Sequence, residues 1–473
     1  MTELQFTNTL TGRKEPFRPM NPSGVRMYVC GVTVYDDSHL GHARGAVVFD
    51  TLRRFLERRG LKVTHVRNIT DVDDKIIARA RREPASAGSL NDRTRAVAER
   101  YTRSFQKDFI RLGLLPPTHE PKATEYIPKI QKLIARLIDR EMAYVGEDGV
   151  YFAVRHLGER YGRLSNQKLD QMLEAPEAEP ESRGKMDPWD FALWKRAKSE
   201  EPAWDSPWGA GRPGWHIECT TMATDLLGQS FDIHGGGRDL IFPHHENELA
   251  QALGAEMSFA KTWLHNGLLT VEGQKMSKSV GNIVTIEAVL KKHPADVLRL
   301  FFLGVHYRSP MDFTWEHLEE SAAAAARILG FLAQVEQLIG KGEMLPSAPA
   351  DAARSEFEEA MADDLNTPRA LAALHGLVTR GSARLREAFS GNESFRKQLR
   401  GEAETLRELT EVLGLRFFRS ADLPAELMKL REERDQARKR KDFKRSDEIR
   451  EQVKKAGFLM EDTGGGTVIV PDV

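Results

Sequence analysis

Near the start of this chain, short apolar runs alternate with helical stripes. Val25 to Cys30 (VRMYVC) is mostly apolar, carries one early charge and stops at Gly31, which predicts a largely buried strand feeding a loop. After GVTVYDDS, the segment HLGHARGAVVFDTLRRFLERRG places Val48, Phe49, Leu52, Phe55 and Leu56 on one helical stripe, with Gly60 as its stop. LKVTHVRNI then reads as a second strand. A strand-helix-strand unit of this length predicts a parallel sheet, and such sheets bind ligands beyond the carboxyl ends of their strands. The HLGH tetrapeptide sits at that end.

From about Leu90 to Ile138 the pattern is helical, broken by Pro116 and Pro117, and Tyr144 to Val154 reads as a hairpin around a GEDG turn. This middle part reads as an insertion. QMLEAPEAEPESRGK, from Gln171, is acidic and punctuated by proline, and is expected to be an exposed linker. SFDIH predicts another strand, GGGRDLIF a loop after it, and Pro243 the opening of a short helix through HHENELAQAL. From about Glu316 the chain turns helical, with Ile328, Phe331, Leu332, Val335 and Leu338 spaced for one buried face. GGGTVIV near the end predicts a small terminal strand.

Composition narrows the partners. Lys+Arg is 69 against 70 Asp+Glu in 473 residues, so the chain does not bind nucleic acid through bulk charge. Lys429 to Lys455 is the exception, with twelve Lys/Arg against seven Asp/Glu. No apolar run in the sequence approaches the roughly 18 residues of a membrane helix, and the N-terminus shows no secretory pattern. A cytoplasmic setting without membrane attachment is expected. Two cysteines exclude a disulfide scaffold.

Two motifs carry chemistry. In HLGH, His39 and His42 lie at a probable helix start, where free N–H groups and the helix dipole favour phosphate, and Gly41 lets a flat ring approach the backbone. In KMSKS, Lys275 to Ser279, two lysines sit in a loop flanked by glycines. Lysine is a point charge suited to following phosphate oxygens as pyrophosphate departs.

HLGH in the first half with KMSKS more than two hundred residues later resembles the signature pair of class I aminoacyl-tRNA synthetases. MYVCGVTVYDDSHLGHAR, VRNITDVDDKII, PWGAGRPGWHIECTTM, DIHGGGRDLIFPHHENELAQ and KMSKSVGN together resemble the cysteinyl-tRNA synthetase family, over essentially the whole chain. Two motifs depart slightly: Leu40 stands where the family has isoleucine, and Asp296 to Arg299 reads DVLR where DALR is usual.

The resemblance implies an α/β Rossmann-like catalytic domain with an inserted subdomain, an α-helical anticodon-binding bundle and a small C-terminal domain. The expected boundaries are 1–120 and 206–260 for the catalytic halves, 121–205 for the insertion, and 261–315 for the stem-contact region bearing KMSKS. The bundle is expected at 316–415 and the terminal tRNA-binding domain at 416–473. It further implies ATP-dependent joining of L-cysteine to tRNA(Cys) through a cysteinyl-adenylate, by a monomer, with Mg2+ accompanying ATP. His39, Gly41, His42, Gly236, Gly237, Asp239 and Lys278 would bind ATP, with His39, His42, Lys275 and Lys278 catalytic. Cys30, Gly31, Thr70, Trp215 and His234 would line the cysteine pocket.

Both cysteines, Cys30 and Cys219, fall inside the shared motifs, and thiolates are the best protein ligands for zinc. His244 and Glu248, four apart, would share a helix face and complete a tetrahedron, and the resemblance selects the same four residues for one Zn2+ per chain. His245, three before Glu248, is the rival ligand. HHENE is not a zinc-protease helix, because Leu249 stands where a second histidine is required. A zinc-bound thiol ionises and ligates strongly where a serine hydroxyl does not, so the ion would select cysteine without an editing domain. The alternatives are a ligase joining cysteine to an amino sugar, as in mycothiol synthesis, and a catalytically silent tRNA-binding module.

Overall fold

The computed structural model describes residues 2–168, 184–277 and 280–472. Gly24–Thr33 and Lys62–Thr70 pair in parallel, joined by the helix Leu40–Arg58, as the pattern predicts. Two further parallel strands complete a four-stranded sheet in the order Phe259–Asn266, Ser230–Gly237, Gly24–Thr33, Lys62–Thr70. This is a Rossmann-like α/β sheet with the first strand inside it.

Side chains alternate along a strand, and here the alternation separates two cores. Val25, Met27 and Val29 pack in one core with Val48, Phe49, Leu52, Phe55 and Leu56 of the helix, all buried. Burying each large side chain is worth about 1.5–3 kcal/mol, so packing rather than propensity holds this helix. Tyr28 lies in the second core with Phe231, Trp263 and Cys219 of the helix Trp215–Leu227, and Cys30 packs against that core.

The second core continues into the insertion. Ala143–Val145 and Gly149–Phe152 form the expected hairpin, and Phe191–Arg196 and Gly211–Pro213 extend it to a four-stranded antiparallel sheet that runs past residue 205. The acidic stretch from Gln171 falls largely within 169–183, outside the described residues.

Three expectations change. The glycines of SFDIHGGG belong to the strand Ser230–Gly237 rather than to a loop. A Cβ on Gly235 would stand 2.3 Å from the Phe49 ring and one on Gly236 2.6 Å from His245, so the strand runs too close to its neighbours for any side chain. Pro243 does not open the helix: Phe242 is extended, a wide turn spans Ile241–His245, and the helix is Glu246–Gly254. Finally, Trp315–Ile339 is long and apolar enough to cross a bilayer by length and composition, which reading the sequence for uninterrupted apolar runs misses. Its Leu318, Ile328, Leu329, Phe331 and Leu332 are buried in the first core, so its apolar character serves packing.

Helices Trp315–Gln334, Ala348–Ala362, Thr367–Phe389 and Glu393–Val412 make the helical region. Arg299, in the DVLR helix Ala295–Leu303, fastens it to the catalytic sheet. This fully buried guanidinium donates to Asp50 Oδ2 at 2.6 Å on the Leu40–Arg58 helix, to Leu112 O at 3.3 Å, and to Leu413 O at 2.8 and 3.1 Å. Ala425–Lys439 and Phe443–Lys455 follow as a helical pair, and the predicted terminal strand, Gly466–Pro471, pairs with Phe458–Thr463.

Candidate active site and metal centre

The strand-helix-strand unit sets the first pair of histidines. His39 caps the helix Leu40–Arg58, its Nδ1 accepting from Gly41 N at 3.1 Å, and His42 Nδ1 accepts from His39 N at 3.4 Å. The rings stack with centroids 3.7 Å apart. Burial, then His39 and Lys75, push the pKa of His42 well down, so it presents a neutral imidazole. A Cβ on Gly41 would meet the His39 ring at 3.0 Å and Met276 at 3.2 Å, which explains the glycine between the histidines.

Met276 belongs to KMSKS, so the two motifs touch. The segment after KMSKS pairs with the capping residues: Leu40 N donates to Val284 O and Ile286 N to Ser38 O, both at 3.0 Å. Lys275 is exposed at the end of a short strand pair opposite Thr270. Asn282 braces the loop from inside, accepting from Ser277 N at 2.9 Å and donating to Lys275 O at 3.2 Å. Lys278 and Ser279 lie outside the described residues.

At the carboxyl end of the sheet, Gly31 N donates to Asn68 Oδ1 at 2.8 Å, and Thr70 Oγ1 donates to buried Glu218 at 3.0 Å. Gly236 and Gly237 end the neighbouring strand, with Asp239 exposed just beyond.

Beside these ends four potential ligands meet. Ligand atoms of Cys30, Cys219, His244 and Glu248 all lie within 4.8 Å of one another. Cys30 Sγ is 3.9 Å from Cys219 Sγ and 3.4 Å from Glu248 Oε1, and His244 Nε2 is 3.1 Å from Glu248 Oε1. In a tetrahedral zinc site with bonds of about 2.0–2.3 Å, ligand atoms stand roughly 3.3–3.8 Å apart, so these spacings fit the ion. Burial opposes ionisation of Glu248, but His234 and His244 outweigh it and bring its pKa to about 2. Burial likewise opposes ionisation of Cys219, yet hydrogen bonding with Cys30 and His244 brings its thiol down to about 6.

The residues around these four are equally well partnered. His244 Nδ1 meets His216 Nδ1 at 2.9 Å, and Trp215 stacks on His244 with centroids 4.1 Å apart. His234, fully buried, reaches Glu248 Oε2 at 2.9 Å, so it stands behind the carboxylate. The rival set, Cys30, His234, His245 and Glu248, also clusters. There His245 Nε2 lies 3.2 Å from Cys30 Sγ but 3.9 Å from Glu248 Oε1, and only one thiol contributes.

Comparison with known proteins places the chain in a family. Residues 16–323 match the family described as tRNA synthetases class I (C) catalytic domain, and residues 356–418 match the DALR domain. A cysteine-tRNA ligase of Geobacter metallireducens is 45% identical over 98% of this chain and 99% of its own length. One from Halorhodospira halophila is 47% identical, with 98% of each chain covered. The chain belongs to the class I cysteine-tRNA ligases. Among solved structures, methionyl-tRNA synthetase of Mycobacterium tuberculosis matches with a TM-score of 0.61 over 83% of this chain and 92% of that one. At 15% identity that likeness bears on the fold alone.

Within this ligase fold the structure adds residues that motif reading passed over: Asn68, Glu218, His216, His265 and Asn282. His265 is the clearest case, its Nε2 bonding His245 Nδ1 at 2.7 Å and its Nδ1 meeting Thr9 Oγ1 at 2.7 Å. Apart from Asn282, which bonds within its own loop, each is an ordinary polar residue whose role comes from a partner distant in sequence. The available signal was position within the quoted motifs, since His216 and Glu218 both lie in GWHIECTTM.

Proposed function

We propose that this chain joins L-cysteine to tRNA(Cys) in two steps. The cysteine carboxylate attacks the α-phosphorus of ATP, supplied with Mg2+, to give cysteinyl-adenylate and pyrophosphate. A hydroxyl of the terminal tRNA ribose then attacks the acyl carbon, and AMP leaves. The observation that carries this reading is the convergence of Cys30, Cys219, His244 and Glu248 at the sheet end that also presents the stacked His39–His42 pair.

Cys30, Cys219, His244 and Glu248 would hold one zinc ion, which when bound supplies a Lewis acid that takes a thiol as thiolate and discriminates against a hydroxyl. Gly31, Thr70, Trp215 and His234 surround that position and orient the amino acid. His39 and His42 face the phosphates at the helix start, and Gly41 leaves room for the nucleotide. Gly236, Gly237 and Asp239 receive the adenosine. Lys275 and Lys278 neutralise charge that builds on the departing pyrophosphate.

The C-terminal helical pair supplies the nucleic-acid surface. At its tip Lys439, Arg440, Lys441 and Lys444 are exposed around Phe443, itself 63% exposed. Exposed cations track phosphates and an exposed aromatic ring stacks on an unpaired base. Aminoacylation assays with purified tRNA(Cys) and, separately, an amino-sugar acceptor test the second step. Cysteine transferred to tRNA alone is expected; transfer to the sugar alone overturns the choice of acceptor.

A further inference from the structure

Tyr28 is used by none of the steps above. It stands two residues before Cys30, so strand alternation puts both side chains on the same face of the sheet. The side chain is fully buried, and its ring packs against His234, its neighbour across the strand pair, with centroids 5.3 Å apart. Its hydroxyl has no hydrogen-bond partner among the described residues. At neutral pH a phenol is an uncharged O–H donor. Cys219 shares its core and Cys30 its face of the sheet, and both are assigned to the metal.

A buried hydroxyl without a partner costs stability, and phenylalanine would fill the same space without that cost. A thiolate that accepts a hydrogen bond gives less charge to its metal, and such outer partners tune the affinity of a site. We propose that Tyr28 is a positioning residue of the metal centre, its hydroxyl donating to the Cys219 thiolate so that the centre keeps the electron demand needed to take the substrate thiolate as a further ligand. This rests on the reading of the centre given above.

Tyr28→Phe removes only the oxygen. Parent and variant are chelated, then loaded with Co2+, and three quantities are read: the sulfur-to-cobalt charge-transfer band, metal affinity by competition, and the thermal midpoint with and without metal. The band is expected to move to lower energy in the variant, and metal affinity to differ from that of the parent by about tenfold or more. The chelated variant should be as stable as the chelated parent or more so, because an unsatisfied group has gone. KM for cysteine rises while KM for ATP holds. Superimposable spectra and equal affinities, with both forms stabilised alike, would overturn the proposal and leave Tyr28 a packing residue. A parent protein that takes up no cobalt overturns the metal centre itself, and the role of Tyr28 with it.

Discussion

Single residues divide the chemistry, and each division is separately measurable. Cys219→Ser keeps the shape and removes a thiolate, so bound zinc measured by elemental analysis should fall from about one per chain toward zero. Gly41→Ala puts a methyl against His39 and Met276, which should raise KM for ATP while leaving bound zinc unchanged. Lys278→Ala should lower the rate of adenylate formation in rapid quench more than it weakens ATP binding, because its contact strengthens as pyrophosphate leaves. An equal loss in ground-state affinity would remove that assignment. The candidate metal ligands and the stacked histidines are legible in the sequence because each lies in a short motif. Glu218, His216 and His265 are not, since nothing local distinguishes a polar residue that braces a site from one that faces water. The choice between His244 and His245 was also beyond spacing alone: both lie within one turn of Glu248, and their distances to its carboxylate, 3.1 against 3.9 Å, come only from the fold.

At the scale of elements, the pattern foretells the strand-helix-strand unit because short apolar runs flank a segment whose apolar positions keep a helical stripe. The same logic fails for Gly235 to Gly237, which have no side chains to show a pattern and are strand because they pair with Leu264 to Asn266. It fails again at Arg299, whose partner Asp50 is 249 residues away. That pair locks the DVLR helix to the helix carrying HLGH, and removing one member of a buried pair typically costs about 3–5 kcal/mol. Arg299→Leu should therefore destabilise the protein by roughly that amount in urea unfolding. The pH dependence has a definite sign. Burial would raise the Asp50 pKa, but Arg299 and Arg54 outweigh it and hold the carboxyl below its usual range. Its contribution is fully present above the unfolded carboxylate pKa of about 3.9 and is lost as pH falls through the lower folded value. The stability gap between parent and variant should stay constant near neutrality and narrow in acid; a gap that widens in acid would contradict the pairing.

For the whole molecule, balanced net charge conceals a division of labour. The parallel sheet and the cluster around Glu248 are largely buried and tightly partnered, whereas the cationic tip around Phe443 is exposed at the other end of the chain. Phe443→Ala should accordingly raise KM for tRNA several-fold while cysteine-dependent ATP-pyrophosphate exchange is unchanged. Loss of exchange as well would mean that the tip supports the fold. On the proposed function, cysteine is chosen through its thiol at a metal centre beside the adenylation site. ATP-pyrophosphate exchange with cysteine and with serine, on zinc-loaded and on chelated protein, tests it most directly. Exchange that requires both cysteine and zinc is the predicted result; cysteine-dependent exchange that survives chelation, or equal exchange with serine, would contradict it.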